Sequence, residues 1–199
     1  MRSLIAVCLL SIACTALHAT PQYQTCISCH GDQGQGNPAL KAPALAGQSA
    51  SYLARQLSHF KAGIRGSDAS DTLGQQMRAM ANTLPDQAAI EAVSNYLSTL
   101  PRTWPAATVE GNAEAGYKLY NMKCGACHGP NGQGNEALKA PALAGVGDAY
   151  LARQFEQFKT GVRGSHPQDR PGRQMKMMAT HMSSAELHDV LAYLNGLAQ

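Results

Sequence analysis

Apolar residues recur along this chain at steps of three and four, the spacing that aligns one face of an α-helix. Leu53, Leu57, Phe60 and Ile64 make one such stripe, and Leu151, Phe155, Phe158 and Val162 make another. Ser49 or Ser51 can cap the first of these helices, Asp148 can cap the second, and Gly63 stands near the end of the first. Two further stripes, Ile90, Val93, Leu97 and Leu100, then Leu187, Val190, Leu194 and Leu197, predict a closing helix in each half. Ser183 and Glu186 have the spacing of a capping box at the start of the second closing helix. Residues 113–123 predict one more helix. No alternating strand pattern stands out, so the fold class expected is all-α.

The stripes come in pairs because the sequence does. An offset of 98 residues (Cys26 to Cys124) aligns the two halves without a gap as far as Leu84. The segment from Leu40 to Gly47 returns unchanged from Leu138 to Gly145, and Tyr52 to Gln56 returns as Tyr150 to Gln154. Lys61, Gly63, Arg65 and Gly66 return as Lys159, Gly161, Arg163 and Gly164. Two copies are too few for a solenoid, so the pattern is a tandem duplication of a small domain. Pro101 and Pro105 interrupt any helix at the join. Trp104, the single tryptophan, is expected to pack between the units. The chain therefore divides into a leader at 1–19, a first domain at 20–100, a linker at 101–110 and a second domain at 111–199.

Met1 to Ala19 reads as a secretory signal peptide. Arg2 supplies its basic start and Leu4 to Leu17 its apolar run, with cleavage expected after Ala19 or Ala16. That run is too short and too interrupted to span a bilayer. Cys14 after Ser11-Ile12-Ala13 only weakly resembles a lipid-attachment box, so membrane association is expected to be peripheral at most. Export implies the periplasm. The formal charge of +3 loses one unit with Arg2, and no basic block appears, which argues against nucleic acid as a partner.

Six cysteines are present, and cleavage of the leader removes Cys8 and Cys14. The remaining four lie in Cys26-Ile27-Ser28-Cys29-His30 and Cys124-Gly125-Ala126-Cys127-His128. Cys-x-x-Cys-His is the attachment pattern of a c-type haem. Positions i, i+3 and i+4 share one helical face, so both thiols can reach the vinyl groups of one porphyrin while the imidazole points at the iron. A zinc ribbon would set its two knuckles about 15–20 residues apart. A thioredoxin-like pair would need a preceding strand and would leave the histidine unexplained. Two covalent haems are the cofactors expected, and each porphyrin would supply apolar volume to a domain too small for a large core.

His30 and His128 are then the proximal ligands. Gln76-Met77-Arg78-Ala79-Met80-Ala81 matches Gln174-Met175-Lys176-Met177-Met178-Ala179, offering a thioether at two equivalent positions for the sixth site. Sulfur favours the reduced, softer iron and raises its potential. Met77 and Met175 are preferred, with Met80 and Met178 next; Met177 has no counterpart in the first copy. His59, His166, His181 and His188 also lack equivalents and are expected at the surface, with His181 an outside candidate. The glycines from Gly31 to Gly36 and from Gly129 to Gly134 imitate nucleotide-binding loops but follow no strand, so they read as turns.

With these motifs in place, the mature chain resembles the diheme cytochromes of the cytochrome c4 family, two class I cytochrome c domains in tandem. The resemblance rests on both Cys-x-x-Cys-His sites, the Ala-Pro-Ala-Leu-Ala-Gly segments, and Gln-Met-x-x-Met-Ala followed by a closing helix. It implies His/Met ligation through Met77 and Met175, and imidazole hydrogen bonds to the Pro43 and Pro141 carbonyls. It also implies packing of terminal helices at Gly116 and Tyr120. Tyr52, Arg55, Arg65 and their twins are candidates to neutralise haem propionates or to serve as helix surface. One departure stands out: few residues precede Cys26, and Pro21 interrupts them. That leaves a truncated first helix, a looser haem crevice or a leader cut elsewhere.

Six-coordinate irons leave no position for substrate, so the expectation is an outer-sphere electron carrier of a respiratory chain, not an enzyme. The resemblance implies a quinol-oxidising complex as donor and a haem–copper terminal oxidase as acceptor. The alternatives are an electron-accepting subunit of a periplasmic dehydrogenase, a diheme peroxidase, which the matched methionines disfavour, and a gas sensor.

Overall fold

The structure, a computed structural model, describes residues 21–197. The leader expected at 1–19, with Cys8 and Cys14, lies outside the described residues. Every named element among the described residues is helical, and the only β-type pairings there are isolated bridges, Asn37 with Ala42 and Asn135 with Ala140.

Each half repeats one plan. The first has a 3-10 turn at Pro21–Cys26 and then α1 (Ile27–His30), α2 (Ala50–Lys61), α3 (Thr72–Asn82) and α4 (Gln87–Thr99). The second has α5 (Ala113–Lys123), α6 (Gly125–His128), α7 (Asp148–Thr160), α8 (Arg170–Ala179) and α9 (Ser184–Gly196). The apolar stripes face two separate cores. Tyr23, Leu53, Leu84, Ile90, Val93 and Leu97 gather in the first half; Tyr120, Met182, Leu187, Val190, Leu191 and Leu194 gather in the second. Each such side chain contributes about 1.5–3 kcal/mol on burial.

Caps fix the ends. Ser49, not Ser51, accepts from Tyr52 N at α2, and the Ser183–Glu186 capping box is complete at α9. Asp71 and Asp169 cap α3 and α8 by accepting from Gly74 N and Gly172 N. Asp148 departs from expectation. Gly147 holds the cap position of α7, and the Asp148 carboxylate instead accepts from Thr108 N, Thr108 Oγ1, Val109 N and Asn195 Nδ2, tying the linker to the second unit. Trp104 departs as well: it lines a small cavity with Leu143, Leu151, Leu191 and Leu194, all of the second unit.

The opening helices differ as the sequence implies. α5 crosses α9 at Gly116, where a Cβ would lie 1.9 Å from the Asp189 carbonyl oxygen. Among the described residues, the first unit has only the 3-10 turn in the corresponding place. Yet Tyr23, three residues before Cys26, is buried with its hydroxyl donating to Gly31 O at 2.6 Å, and Tyr120, four before Cys124, donates to Gly129 O at 2.6 Å. A 3-10 turn brings position i+3 onto the face that an α-helix gives to i+4. The shorter turn thus places the same anchor.

The two units meet about a pseudo-two-fold. Arg65 Nη1 donates to Gln56 in its own unit at 2.8 Å, while Nη2 crosses to Gln154 at 2.6 Å and Tyr150 at 3.0 Å. Arg163 mirrors it, bonding Gln154 at 2.7 Å and crossing to Gln56 at 2.9 Å and Tyr52 at 3.3 Å. Arg55 donates to Lys139 O and Arg153 to Lys41 O, both at 2.8 Å. Arg102 of the linker clips Gly47 O to Ala144 O.

Candidate haem sites

In each unit the Cys-x-x-Cys-His residues wind into a short turn that ends on the histidine. Cys26 and Cys124 are half-buried, Cys29 and Cys127 are exposed, and all four thiols are free. Burial pushes the Cys26 thiol up and the Cys124 thiol up to about 11. Among the described residues no group of three or more His, Cys, Asp or Glu side chains converges, so the zinc-ribbon reading finds no ligand set.

His30 and His128 are buried. His30 Nδ1 lies 3.0 Å from Pro43 O and His128 Nδ1 lies 2.8 Å from Pro141 O. Burial lowers the proton affinity of both rings, and the proline carbonyls push back. A neutral ring that donates from Nδ1 keeps its Nε2 lone pair for a metal. The glycine-rich segments build the turn that brings each proline round. Gly36 N donates to His30 O and Gly134 N to His128 O, at φ of 82° and 89°. A Cβ at Gly36 would meet Ala44 N at 2.6 Å, and one at Gly134 would meet Ala142 N at 2.7 Å, so only glycine fits. These loops are turns, not phosphate cradles.

The matched methionines lie on α3 and α8. Met77 shares the inward side of α3 with buried Gly74 and Ala81, and Met175 shares that of α8 with buried Gly172 and Ala179. Met80 and Met178 turn outward, 37 % and 44 % exposed, and Met177 is more exposed still. Met77 and Met175 are thus the less exposed of the matched methionines. Of the other histidines, His181 and His188 are exposed, and His166 is partly so. His59 is not a surface residue: only 11 % of its side chain is exposed, and it faces Asp169 of the other unit.

The residues present fit a haem in charge as well as in ligands. Arg65 and Arg163 are 9 % and 8 % exposed, and among the described residues neither has a carboxylate within ion-pair distance. The Nε atoms of Arg55, Arg65, Arg153 and Arg163 are buried without a partner. Burial alone would raise the Tyr150 phenol, yet the Arg65 and Arg163 guanidiniums bring it down to about 8. Buried cations in such surplus call for anions, and haem propionates would supply them. The sequence offered helix surface as the other role for these arginines; instead each reaches across to the opposite unit. Gln48, Gln56 and Gln154 escaped sequence reasoning, although the last two recur at the same place in both copies.

Comparison with known proteins agrees. A family model described as Cytochrome c matches residues 20–101 and again residues 113–198. The chain is 32 % identical over 183 residues to Cytochrome c4 of Thiocapsa roseopersicina, covering 87 % of this chain and 88 % of that protein. It is also 32 % identical to a Thiosulfate dehydrogenase electron acceptor of Thiomonas intermedia (strain K12), covering 88 % of this chain and 80 % of that one. The solved cytochrome c4 of Acidithiobacillus ferrooxidans matches with a TM-score of 0.72 and 30 % identity, over 87 % of this chain and 98 % of that chain.

Proposed function

This chain belongs to the cytochrome c family as a tandem, two-haem electron carrier of the cytochrome c4 type, and we propose that one histidine and one methionine hold each of its irons. The thiols of Cys26 and Cys29 attach the first haem, and those of Cys124 and Cys127 the second. His30 with Met77, and His128 with Met175, would hold the two irons. When bound, each haem supplies one-electron exchange between ferric and ferrous iron. The chain's own residues do the rest. Pro43 O and Pro141 O fix the tautomer and orientation of the two imidazoles. Tyr23 and Tyr120 pin the turns behind them. Arg65 and Arg163 neutralise propionate charge at the seam between the units.

Filled axial positions leave no place for a substrate, so the protein carries electrons and performs no chemistry of its own. It works in the periplasm, between a quinol-oxidising complex and a haem–copper terminal oxidase. The similarity to a thiosulfate dehydrogenase electron acceptor supports a second reading, that of the accepting subunit of a periplasmic dehydrogenase. The domains span 20–100 and 111–199, joined by 101–110.

The observation that carries this reading is the duplicated, buried histidine of Cys-x-x-Cys-His with its Nδ1 committed to a proline carbonyl. A spectroscopic redox titration of protein matured in a haem-attaching periplasm tests it. Two covalent low-spin haems at high potential, with the methionine–iron charge-transfer band, are expected. A high-spin or low-potential centre would overturn the ligand set for that domain.

A further inference from the structure

Each unit reaches across the seam to the residue that follows the other's histidine-binding proline. Gln48 of the first unit is 6 % exposed. Its Nε2 donates to Ala142 O at 3.0 Å, and its Oε1 accepts from Ala142 N at 3.0 Å. Ala142 directly follows Pro141, whose carbonyl holds His128 Nδ1 at 2.8 Å. In the opposite direction, Ala44 N, next to Pro43, donates to Val146 O at 3.2 Å. Val146 is the twin of Gln48 at the 98-residue offset, so one position serves both directions with different chemistry. The first unit grips with a side chain and two hydrogen bonds; the second offers one backbone carbonyl.

We infer that Gln48 is a positioning residue for the second haem: by clamping Ala142 across the domain seam it sets how firmly Pro141 O holds His128. The inference rests on His128 being an iron ligand. The Pro141 carbonyl and the clamped Ala142 N–H belong to the same peptide plane, which moves as a unit. Removing the clamp frees that plane and leaves a buried N–H and C=O to find other partners. A slacker Nδ1–H···O bond makes the imidazole a weaker donor to iron, which favours the ferrous state. The counterpart in the first unit is a main-chain contact, so no change at Gln48 removes it. The effect therefore belongs to one haem.

Gln48→Met, close to glutamine in size but without its hydrogen bonds, tests this in the full two-haem protein. Gln48→Val, which installs the twin's own residue, is the second variant should the first fail to fold. At a fixed applied potential the reduced-to-oxidised ratio of one haem should rise about threefold or more, with the other unchanged. Amide hydrogen exchange should quicken around Pro141 and Ala142 and stay as in the parent around Pro43 and Ala44. Unchanged ratios for both haems, or equal shifts in both, overturn the inference. If the parent protein lacks two covalent low-spin haems, the ligand assignment fails instead, and the exchange pattern still reports whether Gln48 clamps Ala142.

Discussion

At the scale of single residues, the duplication lets one copy serve as control for the other. Gln157 Nε2 donates to Asp71 across the seam at 2.9 Å, whereas its twin His59 has Nδ1 3.9 Å from Asp169 and no hydrogen-bond partner there. Burial lowers the proton affinity of His59; Asp169 opposes this, and Arg55, Arg163 and Arg65 add to it. The folded pKa thus lies below that of the unfolded chain. On acidification the unfolded chain takes up a proton that the native state resists, so stability is complete above the ordinary imidazole range and declines below about pH 6.5. His59→Gln should remove that decline, at most about 1.4 kcal/mol per pH unit, when urea midpoints are compared at neutral and mildly acid pH. Equal acid sensitivity in parent and variant would clear His59. The methionines divide in the same way. Met175→Leu should abolish about half of the methionine–iron charge-transfer absorbance and Met77→Leu the other half, while Met80→Leu and Met178→Leu leave it in place. Loss of the band on changing Met178 would move the ligand one helical turn.

Elements show where packing, not propensity, decides. Gly116 lets α5 lie against α9, and the atom its Cβ would strike is backbone, which cannot swing aside. Gly116→Ala should destabilise the second unit by about 1–3 kcal/mol in chemical unfolding. Gly196, at the end of α9, has open space around it, so Gly196→Ala should be neutral or stabilising by up to about 1 kcal/mol. A similar loss from both would mean that α5 does not seat at Gly116. Much of this level was legible in the sequence: α2, α4, α7 and α9 each present an unbroken apolar stripe, and both haem turns are spelled out in five residues. The rest was hidden for physical reasons. α3 and α8 mix glycine, polar and methionine residues on short helices whose buried positions are glycine and alanine, so no apolar stripe marks them. Asp148 carries the sequence signature of a cap, yet the linker's free N–H groups compete for its carboxylate and win. Tyr23 is one residue out of register with Tyr120, and only the switch from α to 3-10 winding restores the match.

For the whole molecule, the duplication announces two domains but not that they face each other, since a repeat aligns with itself and carries no record of contacts between copies. Arg65 and Arg163 show what was invisible. Each guanidinium bonds the glutamine of its own unit and that of the other, so the Oε1 atoms of Gln56 and Gln154 each accept from both arginines. Deleting one arginine leaves both glutamine oxygens still satisfied and relieves repulsion between two buried cations. Deleting both strips two buried oxygens of every donor these arginines supply, and the phenols of Tyr52 and Tyr150 lose their guanidinium bonds as well. The costs are therefore coupled through shared partners. Arg65→Ala and Arg163→Ala should each destabilise modestly, and the double variant should exceed their sum by about 0.5–3 kcal/mol. A denaturant-unfolding cycle on the full two-haem chain reads this coupling directly. Strict additivity would mean that each arginine serves its own domain alone and that the seam is a contact of two independent units.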